Sequence, residues 1–228
     1  MIREAGFIKT TLINYPGKVA AAIFLPGCNL RCPYCHNPEL VLNHGEDMED
    51  MESILRYLEK RKGLLQGVCI SGGEPLVHDD ICELAERIKA MGYALKLDTN
   101  GTFPDRILSV KPDYIAMDIK TAPEKYSLLL GNSDPSLAEK IIESADIIKK
   151  SGIHHEFRTT LAPGIVGADD IKKICDIIKG TELYVLAGYV PGHTLDPDFT
   201  QFPYTAEQYD KMAEIVRNAG IPLKMRNN

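Results

Sequence analysis

Six short strand-like segments recur along the chain, at 19–25, 67–71, 93–99, 113–120, 154–161 and 181–187, the first of them a continuous apolar run, and stretches of helical periodicity alternate with them. No other feature limits the fold as strongly. Continuous apolar runs of this length read as buried strands, and spacing of apolar residues at three and four reads as amphipathic helix. The first helix is expected over 47–62, with Met48, Met51, Leu55 and Leu58 on one face and Gly63 as its stop. A second spans 78–91, and a short one 103–109. A third long helix opens at Asp134-Pro135 and stops at Gly152, and a fourth spans 168–179. The last opens at Thr205, with Gln208 three residues on as a capping box, and ends at Gly220. Strands alternating with helices imply an α/β fold of parallel strands with right-handed crossovers. Six units are too few for an eight-fold barrel, which leaves a partial barrel or an open sheet. A final strand is expected at 222–225. Residues 1–18 read as an N-terminal extension, a hairpin with Pro16-Gly17 as its turn, and 19–226 as the body of a single domain, 1–228.

Hydrophobic residues make up 44% and charged residues 25%, as in ordinary soluble domains. The net charge of −6 offers no basic surface for nucleic acid. No apolar run reaches the roughly 20 residues of a membrane span, and the first residues lack a signal-peptide pattern. A cytoplasmic setting with reduced thiols is expected. Of six cysteines, Cys69, Cys82 and Cys175 each sit in an apolar pattern and read as small buried hydrophobes. Adjacent His154 and His155 point to opposite faces of a strand and form no paired ligand site.

The unusual residues collect after the strands. A cysteine-rich loop follows the first and Gly72-Gly73-Glu74-Pro75 the second. Asp98-Thr99-Asn100-Gly101 ends the third, Asp118-Ile119-Lys120 the fourth, and Arg158-Thr159-Thr160 lies late in the fifth. The C-terminal ends of parallel strands are where such folds place their chemistry. The Pro/Gly-rich stretch 189–204 reads as the mobile loop and a candidate lid.

The loop itself carries Cys28, Cys32 and Cys35, spaced C-x3-C-x2-C. Four thiolates usually complete a [4Fe–4S] cluster; three leave one iron with an open position. The competing reading is zinc held by Cys28, Cys32, Cys35 and His36, but structural zinc sites use two separated pairs. Two glycines let backbone approach a partner closely, and Glu74 adds a carboxylate suited to an ammonium; a plain turn with a solvated Glu is the alternative. Arg158 offers a fork for a carboxylate, with Lys120 competing, and either could instead be a structural ion-pair member. Asp98 and Asp118, if buried, need compensation by a proton, a cation or Lys120.

The spacing with Tyr34 before the last cysteine is the signature of the radical S-adenosylmethionine (SAM) superfamily. The longer string, from Asn14-Tyr15-Pro16-Gly17-Lys18 through Phe24-Leu25-Pro26-Gly27-Cys28 to Tyr34-Cys35-His36-Asn37-Pro38-Glu39-Leu40, resembles the glycyl-radical-enzyme activases. Among these it is most similar to those serving anaerobic ribonucleoside-triphosphate reductase. The resemblance implies a partial (β/α)6 barrel and a [4Fe–4S] cluster on Cys28, Cys32 and Cys35. It implies SAM contacted by Gly72, Gly73 and Glu74, with Tyr34 near the adenine. Asn100, Lys120 and Arg158 join the expected SAM-binding set. A monovalent cation beside SAM is implied on the pair Asp98 and Asp118. The implied partners are the large subunit of anaerobic ribonucleotide reductase and a flavodoxin or ferredoxin as electron donor. Activation of another glycyl radical enzyme such as pyruvate formate-lyase, or radical chemistry on a small molecule, is the alternative; an electron carrier or a zinc module is the non-enzymatic one.

Overall fold

The computed structural model describes residues 2–42, 48–129 and 134–226. The expected helix start at Asp47 lies outside them, while Met48, Glu49 and Asp50, expected within that helix, are not helical, and the helix begins at Met51. The described residues fall into two compact units.

The first unit takes the described residues of 1–29, 37–99 and 105–115. In chain order it contains β1 (Glu4–Thr11), β2 (Ala20–Leu25), α1 (Pro38–Leu42), β3 (Glu49–Asp50), α2 (Met51–Lys60), β4 (Gly67–Gly72), α3 (Ile81–Ala90) and β5 (Ala94–Thr99); α4 (Pro104–Ile107) follows. Its strands run in the order β3-β1-β2-β4-β5. β2, β4 and β5 are parallel, while β1 pairs antiparallel with β2 and β3 with β1. The hairpin expected within 1–18 does not form there: β1 pairs instead with β2, which lies beyond residue 18, and Pro16-Gly17 falls in the connection. β1 escapes a periodicity reading because it is an edge-side strand burying only Ala5 and Thr11. α2 buries Met51, Ile54, Leu55 and Leu58, and the Asp50 side chain accepts from Ser53 N at its start. Each such Leu or Ile contributes about 1.5–3 kcal/mol on full burial.

One register detail positions everything that follows. β2 and β4 run level, from Ala20 opposite Gly67 to Leu25 opposite Gly72. The cysteine loop and the Gly-Gly-Glu turn therefore leave the sheet side by side.

The second unit takes the described residues of 30–36, 100–104 and 116–228. It contains the end of β6 (Tyr114–Asp118), then α5 (Leu137–Lys150), β7 (His154–Leu161), α6 (Ala168–Ile178), β8 (Tyr184–Gly188), α7 (Ala206–Asn218) and β9 (Leu223–Arg226). The order is β6-β7-β8-β9, with β7, β8 and β9 parallel. Neither run of strands closes on itself, so the α/β fold is open, as a partial barrel requires. The Thr205–Gln208 capping box forms as expected. Asp134 does not open α5. Its carboxylate instead accepts from Ser136 N and Oγ, a local turn that delays the helix to Leu137.

Candidate active site

In the first unit, Gly72 and Gly73 are glycine because the chain's own backbone fills the space beside them. A Cβ on Gly72 (φ +118°) would lie 2.3 Å from Leu25 O, and one on Gly73 would lie 1.9 Å from Gly27 O. Gly73 N donates to Leu25 O and Glu74 N to Gly27 O, both at 2.9 Å. Gly27 N donates to Leu40 O at 2.7 Å, and His78 Nε2 donates to Pro26 O at 2.8 Å. Four hydrogen bonds thus fasten residues 25–27 immediately before Cys28. His78, expected only as a helix residue, is one of these fasteners, and α3 begins after it, at Ile81.

Glu74 is fully buried rather than solvated. Its Oε1 accepts from Leu76 N (3.0 Å) and from Thr99 Oγ1 (2.9 Å), which joins the turn after β4 to the end of β5. Asp98 is also buried; Ser71 Oγ donates to its Oδ2 at 3.1 Å, and the ammonium of Lys96 is bonded to its Oδ1. Lys96 is buried as well, with Nζ 3.9 Å from Cys69 Sγ and 5.9 Å from the centre of the Tyr114 ring. Sequence reasoning did not single out Lys96. The signal was a lysine two positions before an aspartate in an apolar strand, which puts both on one face.

In the second unit, Cys32 and Tyr34 are buried and Cys35 is half-buried. Tyr34 OH reaches Lys120 O at 3.5 Å, and its ring lies 6.1 Å from that of Phe199. Burial first, then the neighbouring Cys32, pushes the Tyr34 phenol well above its ordinary pKa, so it stays neutral. Asp118 Oδ1 accepts from Arg158 Nε (2.6 Å) and Oδ2 from Lys120 Nζ (3.0 Å). Both cations proposed for a ligand carboxylate are therefore ion-pair members here. Burial disfavours the Asp118 charge, but Arg158 and Lys120 outweigh it and hold the carboxyl far below the usual range. Burial likewise opposes the Lys120 charge, and Asp118 more than offsets it. Asn100 Oδ1 accepts from Thr102 N and Oγ1, an Asx turn that shapes the chain beyond β5.

The stretch 189–204 is strapped across part of the cysteine loop. Leu195 N donates to Cys35 O (2.9 Å) and Asp196 N to Pro33 O (3.1 Å). His36 stacks on Tyr189 at 5.8 Å, and its Nδ1 donates to His193 O (3.2 Å). His36 is thus held by the strap through its ring face and Nδ1. Among the described residues, no three His, Cys, Asp or Glu side chains form a group able to hold a single metal ion. A four-iron cluster distributes its thiolates over separate irons, and none of the three loop cysteines is in a disulfide. Cys69 and Cys175 are buried as expected, whereas Cys82 is only half-buried on α3. No helix among the described residues is long and apolar enough to cross a membrane.

The family model for the radical SAM superfamily matches residues 22–179. A Methanocaldococcus jannaschii protein named as a glycyl-radical enzyme activating enzyme is 33% identical, over 89% of this chain and 86% of its own. The pyruvate formate-lyase-activating enzyme of Clostridium pasteurianum is 27% identical, over 81% of this chain and 79% of its own. Among solved structures, a radical SAM methyltransferase from Sphaerobacter thermophilus shares the fold, with a TM-score of 0.69 over 93% of this chain and 67% of that one at 17% identity. Such membership implies a [4Fe–4S] cluster and SAM. The chain is a radical SAM enzyme, a member of that superfamily with homologues among the proteins named for activating glycyl-radical enzymes.

Proposed function

We propose that this enzyme generates a glycyl radical on a partner protein, and that the partner is anaerobic ribonucleoside-triphosphate reductase. The observation that carries the activase reading is the 33% identity to a named activating enzyme across 86% of its length. The ribonucleotide reductase assignment rests on the string around the cysteine loop, and pyruvate formate-lyase is the second reading, favoured by the Clostridium pasteurianum relative.

Cys28, Cys32 and Cys35 are the proposed cluster ligands, and the tethers on 25–27 and the strap on 33–36 hold their loop in shape. When bound, the cluster and SAM supply reductive cleavage of the sulfonium to a 5′-deoxyadenosyl radical, with one electron from a flavodoxin or ferredoxin. The backbone of Gly72 and Gly73, with Glu74, forms a rigid rim for the methionine amino group. Arg158 and Lys120 hold positive charge for its carboxylate while remaining paired with Asp118, and Asn100 shapes the neighbouring turn. Tyr34 offers a neutral aromatic face to the adenine. The strap's Tyr189 and Phe199 exclude water from this face of the loop.

The test is anaerobic. Reconstituted enzyme, SAM and reductant are mixed with each candidate partner, and the glycyl-radical EPR doublet is recorded. A doublet on the reductase alone supports the assignment, and one on pyruvate formate-lyase alone moves it to that partner. SAM cleavage to 5′-deoxyadenosine with no doublet on any glycyl radical enzyme would refute the activase reading. Retention of cluster and SAM cleavage by Cys32→Ala would refute the ligand set.

A further inference from the structure

We infer that Lys96 is a built-in counter-cation for Asp98, and that this enzyme needs no external monovalent cation beside its SAM site. The resemblance implies such a cation on Asp98 and Asp118, and the residues present do not fit one. All four carboxylate oxygens already accept from a donor. Asp98 Oδ1 has Lys96 Nζ and Oδ2 has Ser71 Oγ; Asp118 Oδ1 has Arg158 Nε and Oδ2 has Lys120 Nζ. Each carboxylate has a side-chain cation of its own, so neither retains an unbalanced charge to attract a metal ion.

The arrangement around Lys96 is that of a cation site made from the chain. Its ammonium is buried, which is tolerated only with an anion at hand. Asp98 supplies the charge, Cys69 a sulfur at 3.9 Å, and the Tyr114 ring a π-face at 5.9 Å. The sequence builds this directly. Lys96 and Asp98 alternate onto one face of β5, and Cys69, which pairs with Lys96 in the parallel register, and Ser71 alternate onto the matching face of β4. Lys96 is bonded to none of the groups proposed to bind the cluster or SAM. It acts through Asp98, at the end of the strand that continues into Thr99, the partner of Glu74, and so it is a positioning residue.

The experiment compares wild type with Lys96→Met at constant ionic strength in potassium, sodium or choline chloride. The first readout is the melting temperature of the cluster-free protein, which is independent of the proposed function and of the partner. The wild-type Tm is expected to be the same in all three salts. Lys96→Met leaves a buried carboxylate without its counter-charge, and its Tm in choline is expected to fall by roughly 6–20 °C. Potassium or sodium should restore part of that loss saturably. The double variant Lys96→Met/Asp98→Asn removes both charges and should recover Tm without responding to salt. The second readout is 5′-deoxyadenosine formation by reconstituted wild type, expected to change less than twofold between choline and potassium. Saturable stabilisation of the wild type by potassium or sodium, or a tenfold rise in its SAM cleavage, would overturn the inference. So would a Lys96→Met variant as stable as wild type in choline. The wild-type measurements decide the question even if the variant does not fold.

Discussion

Replacing Gly73 with alanine tests the idea that the Gly-Gly turn exists to let β4's exit pass against the cysteine loop. Gly73 is not among the residues with positive φ, so alanine meets no intrinsic backbone penalty there. What it meets is Gly27 O at 1.9 Å, more than 1 Å inside the 3.0 Å that Cβ atoms respect, then Gly27 C at 2.6 Å and Cys28 Cβ at 3.2 Å. These obstacles are backbone on a fastened segment and cannot swing aside. Overpacking costs about 1–3 kcal/mol. The two bonds at the contact, Gly73 N to Leu25 O and Glu74 N to Gly27 O, contribute about 0.5–1.5 kcal/mol each and must lengthen. The total is about 2–6 kcal/mol, or a Tm lowered by roughly 4–24 °C in a chain of this size. Gly92→Ala is the control: that glycine has φ +90° with nothing within 4 Å of a Cβ, so only the left-handed backbone cost of about 1–2 kcal/mol applies. The assay is thermal unfolding of the cluster-free protein, followed by iron content after anaerobic reconstitution. A Gly73→Ala protein that melts at or above the Gly92→Ala control and loads iron fully would show that the close approach carries no weight.

Glu74→Ala removes the acceptor for Leu76 N and Thr99 Oγ1 and should cost about 2–3 kcal/mol in urea unfolding, with Glu74→Gln recovering at least half, since its amide oxygen can still accept. Because the Asp118 carboxyl is depressed in the folded state, its contribution is complete above its unfolded value of about 3.9 and is lost as pH falls below that. Asp118→Asn should therefore flatten the acid limb of the stability profile below about pH 4, and an unchanged limb would count against the pairing. Tyr189→Ala removes the ring stacked on His36, so amide hydrogen exchange within 33–36 should accelerate while α2 stays protected. Equal exchange in both proteins would mean that the strap does not hold the loop.

The alternation of strand and helix is readable because β2 and β4 are apolar runs, and β7, though mostly polar in sequence, is placed over its full length, His154–Leu161. β1 is not, since an edge-side strand with one polar face looks like loop in a linear pattern. β8 begins at Tyr184, because Thr181 N closes a turn on Ile178 O before the chain extends. The site residues were found by type and position, at strand ends, yet their partners were hidden. Nothing local announces that Glu74 is buried against Thr99, that Lys96 neutralises Asp98, or that His78 fastens Pro26. Those links join residues 25–52 positions apart, or depend on burial that only the packed sheet supplies. The stretch 189–204 illustrates the same limit. Its composition reads as mobile, while backbone bonds to Pro33 and Cys35 tie it down.

That strap ties the maturation of the enzyme to the direction in which it is made. Cys28, Cys32 and Cys35 leave the ribosome early, but Leu195 and Asp196, which close on Cys35 and Pro33, emerge about 160 positions later. At ordinary translation speeds the thiols wait roughly 8–32 s for these two amides. A nascent or truncated chain lacking the strap carries every cysteine and still lacks the clasp on half of their loop. The finished chain presents these cysteines on a clasped loop, and the nascent chain on an unclasped one.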